Sequence, residues 1–218
     1  MKALFIKDIL MLFKQKKTLL MMLILGVLYT MMDMGTFGIM LLGMMLMIFA
    51  TSTISYDEFD NGNGNAFLFS QPFTRRQYTI EKYLLAMGGG AIGSVLGFVL
   101  TMIGGFIRRS GDFTIEELVA VMFAGMLFFC FISSFMLPMM LKEGAEKGRN
   151  SAYILFGVIF IGGVLGVKFI PESAKNSLIT ILESASPAVW IIGVVALVLI
   201  IAIVSCHISI RFMERREF

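Results

Sequence analysis

Of the 218 residues, 58% are hydrophobic and only 15% are charged, and the mean hydropathy is +0.88. A soluble domain carries about 25% charged residues, so an ordinary water-soluble fold is excluded and a polytopic membrane protein is indicated. The net charge of +3 is small, and its distribution along the chain says more than its size.

Backbone polar groups cannot be left unpaired in hydrocarbon, so spanning segments are helices or a closed barrel. Charge-free runs far longer than the roughly 10 residues of a barrel strand select helices, giving an all-α fold. The chain reads as a single transmembrane domain over residues 1–218, with no secretory signal expected ahead of the first span: the start is basic and no small-residue cleavage site follows the first apolar run.

Residues 1–17 form the first predicted element. Phe5, Ile6, Ile9, Leu12 and Phe13 fall on one side of a helical wheel and Lys7, Asp8, Lys14 and Gln15 on the other, as expected of an amphipathic helix lying on an anionic leaflet. A simple extension of the first span with snorkelling lysines is the alternative. Six candidate spans follow: Thr18 to Met32, Met34 to Tyr56, Tyr83 to Ile107, Leu118 to Leu141, Ser151 to Val167 and Ser184 to Ile210. The first and fifth are short for a bilayer that needs about 20 residues, and Lys16, Lys17 and Lys168 lengthen them by snorkelling.

Fourteen of the eighteen Lys and Arg residues lie before the first span, in the second and fourth connections, and in the tail. This bias predicts both termini and residues 56–83 on the cytoplasmic side. The opposite face keeps Arg108, Arg109, Lys168 and Lys175. There the first connection is a tight turn at Asp33-Met34-Gly35. The last, 168–183, contains Pro171, Glu172, Leu178, Ile179, Ile181 and Leu182 and is predicted as a short outer interfacial or re-entrant helix.

Within the spans, Gly89, Gly93 and Gly97 form a small-residue stripe, echoed by Gly162 and Gly166. Such stripes let helix backbones approach closely, either inside one subunit or at a subunit interface. The 19 methionines lie mostly in apolar runs such as Met31-Met32 and Met44-Met45, which suits packing rather than metal relay. Cys130 and Cys206 read as packing residues, and Pro138 is expected to kink the fourth span. Glu116-Glu117 could suggest an intramembrane metalloprotease, but that chemistry needs several histidines and His207 is the single one. No Gly-x-x-x-x-Gly-Lys-Ser/Thr element occurs, so ATP, if used, is bound by another polypeptide. No charged residue sits deep in a predicted span, which disfavours an intramembrane ion path.

The segment 56–83 is the one long polar stretch. Asp57, Glu58 and Asp60 follow the second span, and Asn61-Gly62-Asn63-Gly64-Asn65 is turn-forming. Ala66 to Ser70 then makes a short apolar segment, closed by Pro72 and followed by Arg75-Arg76. Phe67, Leu68 and Phe69 on a polar loop need cover from a protein groove or the membrane surface.

These residues resemble the ABC-2-type transporter permeases, in particular the small six-span bacterial kind similar to phenol-soluble modulin and peptide exporter permeases. The likeness lies in the acidic pair Asp57-Glu58, in Leu68-Phe69-Ser70-Gln71-Pro72-Phe73-Thr74-Arg75-Arg76, and in Lys82-Tyr83. Phe73, Thr74 and the Asn-Gly insert depart from the family's pattern. The resemblance implies a coupling helix seated in a groove of a separate ABC ATPase, present in two copies, and pairing with a second permease subunit, identical or homologous. It assigns that contact to Asp57, Glu58, Phe67, Leu68, Phe69, Ser70, Pro72, Arg75 and Arg76, the aromatic residues anchoring and the arginines pairing with acidic groups or lipid phosphates. It places ATP and Mg on the partner, with no cofactor in this chain and no nucleic acid, and the protein in the bacterial cell membrane. It further implies ATP-driven export of an amphipathic or hydrophobic substrate, such as a cytolytic or antimicrobial peptide. A membrane scaffold or sensor that binds a non-ATPase partner through residues 56–83 is the competing function. A substrate-binding component of an ATP-driven importer is a third.

Overall fold

The computed structural model describes residues 2–31, 35–58, 68–70, 72–108, 114–169 and 187–215. Among them are seven helices and no strand: α1 (Lys2–Lys14), α2 (Lys16–Met31), α3 (Gly35–Glu58), α4 (Arg75–Arg108), α5 (Ile115–Glu143), α6 (Ala145–Phe169) and α7 (Pro187–Arg215). Four segments are long and apolar enough to cross a membrane: Thr36–Glu58, Arg75–Ile107, Ile115–Glu143 and Val189–Arg215. The six sequence-predicted spans overlap α2 to α7 in order, and four of them coincide with those segments. However, α2 has only 16 residues and α6 opens on the polar run Ala145 to Ser151. Of the predicted turn at Asp33-Met34-Gly35 and the predicted outer helix at 168–183, Gly35 opens α3 and residues 168–169 end α6; the rest of both, and the stretch from Asn61 to Phe67, lie outside the described residues.

Helix starts follow local chemistry. Thr114 caps α5 through a reciprocal capping box: its hydroxyl accepts from Glu117 N, and Glu117 Oε2 accepts from Thr114 N at 3.0 Å. Thr74 and Gln77 make the same exchange at the head of α4, both at 3.2 Å. This is why α4 begins at Arg75 rather than at Tyr83, where the apolar run starts. Glu117 therefore serves a helix end.

The pair α3 and α4 makes the most extensive contact, and α5 packs across both. A Cβ added at Gly93 would lie 2.5 Å from Leu42 O and 2.6 Å from Gly43 Cα, one at Gly97 2.6 Å from Ile39 Cα, and one at Gly89 2.8 Å from Leu46 O. The stripe thus lays α4 directly on the backbone of α3. In a bilayer, where apolar side chains gain little by leaving lipid, such close backbone approach is a main source of helix association. Phe129 of α5 is fully buried, its ring against Gly43 and its Cβ against Gly90. By contrast, a Cβ at Gly162 would meet nothing within 4 Å.

Pro138 sits inside α5, which ends at Gly144 with φ 96°, a left-handed conformation that favours glycine. α6 starts at the next residue, and Gly148 lies so close to α5 that a Cβ there would be 2.4 Å from Met139 C. The outward surfaces of α2, α4 and α7 carry exposed Leu, Ile, Val and Phe side chains, as lipid-facing helices do.

Candidate functional site

The main concentration of buried polar groups lies where α1 crosses the end of α3 and the beginning of α4. Leu4 and Asp8, one turn apart on α1, are both buried, while Phe5, Ile6, Leu10 and Phe13 are exposed. Lys7 and Asp8 of the amphipathic helix are therefore turned toward the bundle, while its apolar Phe5, Ile6 and Phe13 point away from it.

Lys82, one of the fully buried side chains, is at the centre. Its ammonium group donates to an Asp8 carboxylate oxygen and to Thr53 Oγ1 at 3.1 Å, and it lies 2.7 Å from Asp57 Oδ2. Three acceptors thus match the three protons that a lysine ammonium carries. It also rests 4.9 Å from the centroid of the Tyr78 ring. Asp57 accepts in addition from Tyr78 OH at 3.1 Å and from Lys7 Nζ, and Lys7 Nζ lies 3.0 Å from Asp8 Oδ1. The burial of Lys7 would lower its pKa, but Asp57 and Asp8 outweigh that and hold it above the ordinary 10.5. Burial would raise the carboxyl of Asp8, yet Lys82 and Lys7 prevail and hold it below its usual 3.8.

Glu81 completes the cluster. It is 1% exposed, lies beside the Asp8 carboxyl within hydrogen-bonding reach, and is 3.7 Å from Lys82 Nζ. The group thus brings together two ammonium ions, Lys7 and Lys82, and three carboxyl groups, Asp8, Asp57 and Glu81.

The candidate coupling residues divide around this cluster. Asp57 belongs to it. Glu58 Oε2 accepts from Ala145 N at 2.7 Å and so caps α6. Phe67 lies outside the described residues. Leu68 is buried in the core with Tyr78, Leu141 and Met213, and Phe69 packs edge-on against Phe73 and Tyr78 at 6.3 and 5.5 Å. Arg75 lies over the Phe69 ring at 5.7 Å and donates to Met213 O at 3.1 Å and Glu214 O at 2.9 Å, which places a cation on the C-terminus of α7. Ser70, Pro72 and Arg76 are exposed. The apolar part of the segment therefore faces inward, and its polar part faces out.

One further network joins α4, α5 and α7: Tyr83 OH shares hydrogen bonds with Ser205 Oγ at 2.6 Å and Ser209 Oγ at 2.8 Å, and Ser205 Oγ donates to Ser134 O. Lys82 and Tyr83, neighbours in sequence, thus bind α4 to the rest of the protein in two directions.

Sequence reasoning did not find Lys7, Asp8, Thr53, Tyr78, Glu81 or Lys82 as a unit. The available signals were an acidic residue in an otherwise basic leader, Asp8, and adjacent opposite charges, Glu81-Lys82, at the mouth of an apolar run.

Comparison with known proteins adds the family. No curated protein and no solved structure matches the chain. The family model described as ABC-2 family transporter protein matches residues 3–214, from the docked α1 to the last turn of α7. This chain is accordingly a multi-pass membrane member of the ABC-2 family of transporter proteins.

Proposed function

We infer that this chain is the transmembrane permease subunit of an ATP-binding-cassette exporter, with six spans formed by α2 to α7 and both termini in the cytoplasm. A separate ATPase docks on the turn between α3 and α4, and the permease acts as a pair. The observation that carries this reading is the construction of that turn within a family match spanning the chain. Leu68 and Phe69 fix it to the core, Asp57 and Arg75 fix its two ends, and Ser70, Pro72 and Arg76 are presented outward. A push on those outward residues reaches α1, α3 and α4 through Lys82 and reaches α7 through Arg75. No Walker loop occurs in the sequence, so ATP hydrolysis falls to the partner.

An amphipathic or hydrophobic cargo fits the interior best. The groove between α5 and α7, about 470 Å³, is lined by Phe135, Met139, Ile201 and Phe212 and carries Lys142 and Glu143 among its lining residues. It offers apolar surface with a few charges rather than a polar channel.

The test is co-expression with a candidate ABC ATPase from the same organism, sought first in the adjacent reading frames, followed by affinity purification and measurement of ATP hydrolysis in nanodiscs. Arg76→Glu combined with Ser70→Arg is expected to abolish co-purification while leaving insertion intact. If the double variant still binds the ATPase fully, the turn is not the docking site. If the unsubstituted chain binds no ATPase, the scaffold reading takes over.

A further inference from the structure

We propose that Asp8 and Glu81 form a proton-binding site, in which one proton is held between the two carboxyl groups and joins α1 to α4. The site does not depend on which protein docks on the turn between α3 and α4.

Lys82 cannot serve Glu81. Its three protons are directed to Asp8, Asp57 and Thr53, so none is left for the Glu81 carboxyl, although Lys82 Nζ is only 3.7 Å from it. Lys7 Nζ is turned to Asp57 and Asp8. Among the described residues no nitrogen or hydroxyl donates to either Glu81 oxygen, and the polar group within hydrogen-bonding reach is another carboxyl, that of Asp8. Both side chains are withdrawn from water, Asp8 at 0% and Glu81 at 1% exposure. Two buried carboxyl groups this close cannot both be ionised, and a single proton shared between them replaces their repulsion by a charge-assisted hydrogen bond. Asp8 keeps the negative charge, because both ammonium groups contact it. Glu81 is then the acid that donates.

Charge balance agrees with this assignment. With Glu81 neutral, Lys7 and Lys82 are matched by Asp8 and Asp57, whereas a third carboxylate would leave an uncompensated buried charge. The other titratable groups around the pair are Lys2 on α1, which lines the cavity beside Glu81, and Tyr78 on α4, which donates to Asp57 of α3. Neither supplies a proton to Glu81. While the shared proton is bound, it fastens α1 to α4; its release sets two anions against each other and loosens α1.

The experiment is infrared spectroscopy of the purified full chain in detergent. At neutral pH the unsubstituted protein is expected to show the carbonyl stretch of a protonated carboxylic acid, shifted in heavy water and shifted again when glutamate is isotopically labelled at its side-chain carboxyl. Glu81→Gln, whose amide N–H donates to Asp8 in the acid's place, is expected to lose the band and keep the fold. Asp8→Asn frees a Lys82 proton for Glu81, which then ionises, so the band is expected to vanish there too. At a pH high enough to remove the band from the unsubstituted protein, a spin label at Leu10→Cys, with Cys130 and Cys206 replaced by alanine, is expected to be more mobile than the same label in Glu81→Gln. Should a variant fail to fold, the labelled-glutamate shift in the unsubstituted protein decides. A band that is absent at neutral pH, unmoved by labelled glutamate or still present in Glu81→Gln overturns the proposal. One that survives Asp8→Asn assigns the proton to Glu81 alone and overturns the shared site, and equal label mobility overturns its hold on α1.

Discussion

Asp8 and Lys82, 74 positions apart in sequence, form an ion pair in which both side chains are almost completely withdrawn from solvent. It fastens a helix outside the predicted spans to the head of one that crosses. Buried pairs of this kind add little to net stability over an apolar alternative, but losing one partner strands the other charge.

Lys82→Met is therefore expected to destabilise the protein by about 3–5 kcal/mol, because Asp8 and Asp57 lose their shared counter-ion together. Adding Asp8→Asn to it is expected to recover part of that loss, since one stranded charge disappears. Thermal unfolding in detergent, followed by intrinsic fluorescence, measures both. A double variant less stable than Lys82→Met alone would contradict the assignment.

Docking of α1 should depend on pH in a defined direction. The carboxyl of Asp8 is depressed by Lys82 and Lys7 despite its burial, so its contribution is present above the ordinary 3.8 and is lost as pH falls through the lower folded value. Lys7 is raised, by Asp57 and Asp8 against its burial, so its contribution is complete below 10.5 and is lost as pH rises through the higher folded value. A spin label at Leu10→Cys should report loosening of α1 at the acid limit set by Asp8 and at the alkaline limit set by Lys7.

The glycine stripe gives a position-specific test. Alanine is the better helix former by about 1 kcal/mol, yet Gly93→Ala is expected to cost about 1–3 kcal/mol because its Cβ meets the backbone of α3. Gly88→Ala, one turn nearer the start of α4 and facing open space, is expected to be neutral or stabilising. Melting temperatures that move alike in both variants would remove the stripe's role.

Arg75 links the head of α4 to the last turn of α7. Arg75→Ala is expected to speed tryptic cleavage at Arg215 severalfold, corresponding to about 1 kcal/mol or less for a partly exposed contact. Cleavage at Lys16 and Lys17, away from that contact, should be unaffected, and peptide mapping over time separates the two.

The spanning helices were readable because uncharged runs of this length leave the backbone few alternatives in hydrocarbon. The beginning of α4 was not, since residues 75–82 are polar and pass for loop; the Thr74-x-x-Gln77 exchange was the overlooked mark of helix onset. Asp57 was singled out from its place in a family pattern, as a contact for a partner protein. Its partners Lys7, Tyr78 and Lys82 are distant or ordinary in sequence, and only folding brings them together. For Leu68 and Phe69, hydrophobicity on a polar loop pointed to cover. The cover found is partly the protein's own core, to which Leu68 belongs together with residues as distant as Met213, and a reading of the loop alone could not identify it.

Helix α4 has 34 residues, and at 1.5 Å per residue it measures about 51 Å, against roughly 30 Å of hydrocarbon. The surplus must jut from the slab or be absorbed by leaning. Because α1 is clamped to this rod near its first turns, a thinner bilayer that tips α4 will drag α1 sideways across the leaflet, making membrane thickness an input to the posture of that whole end of the protein.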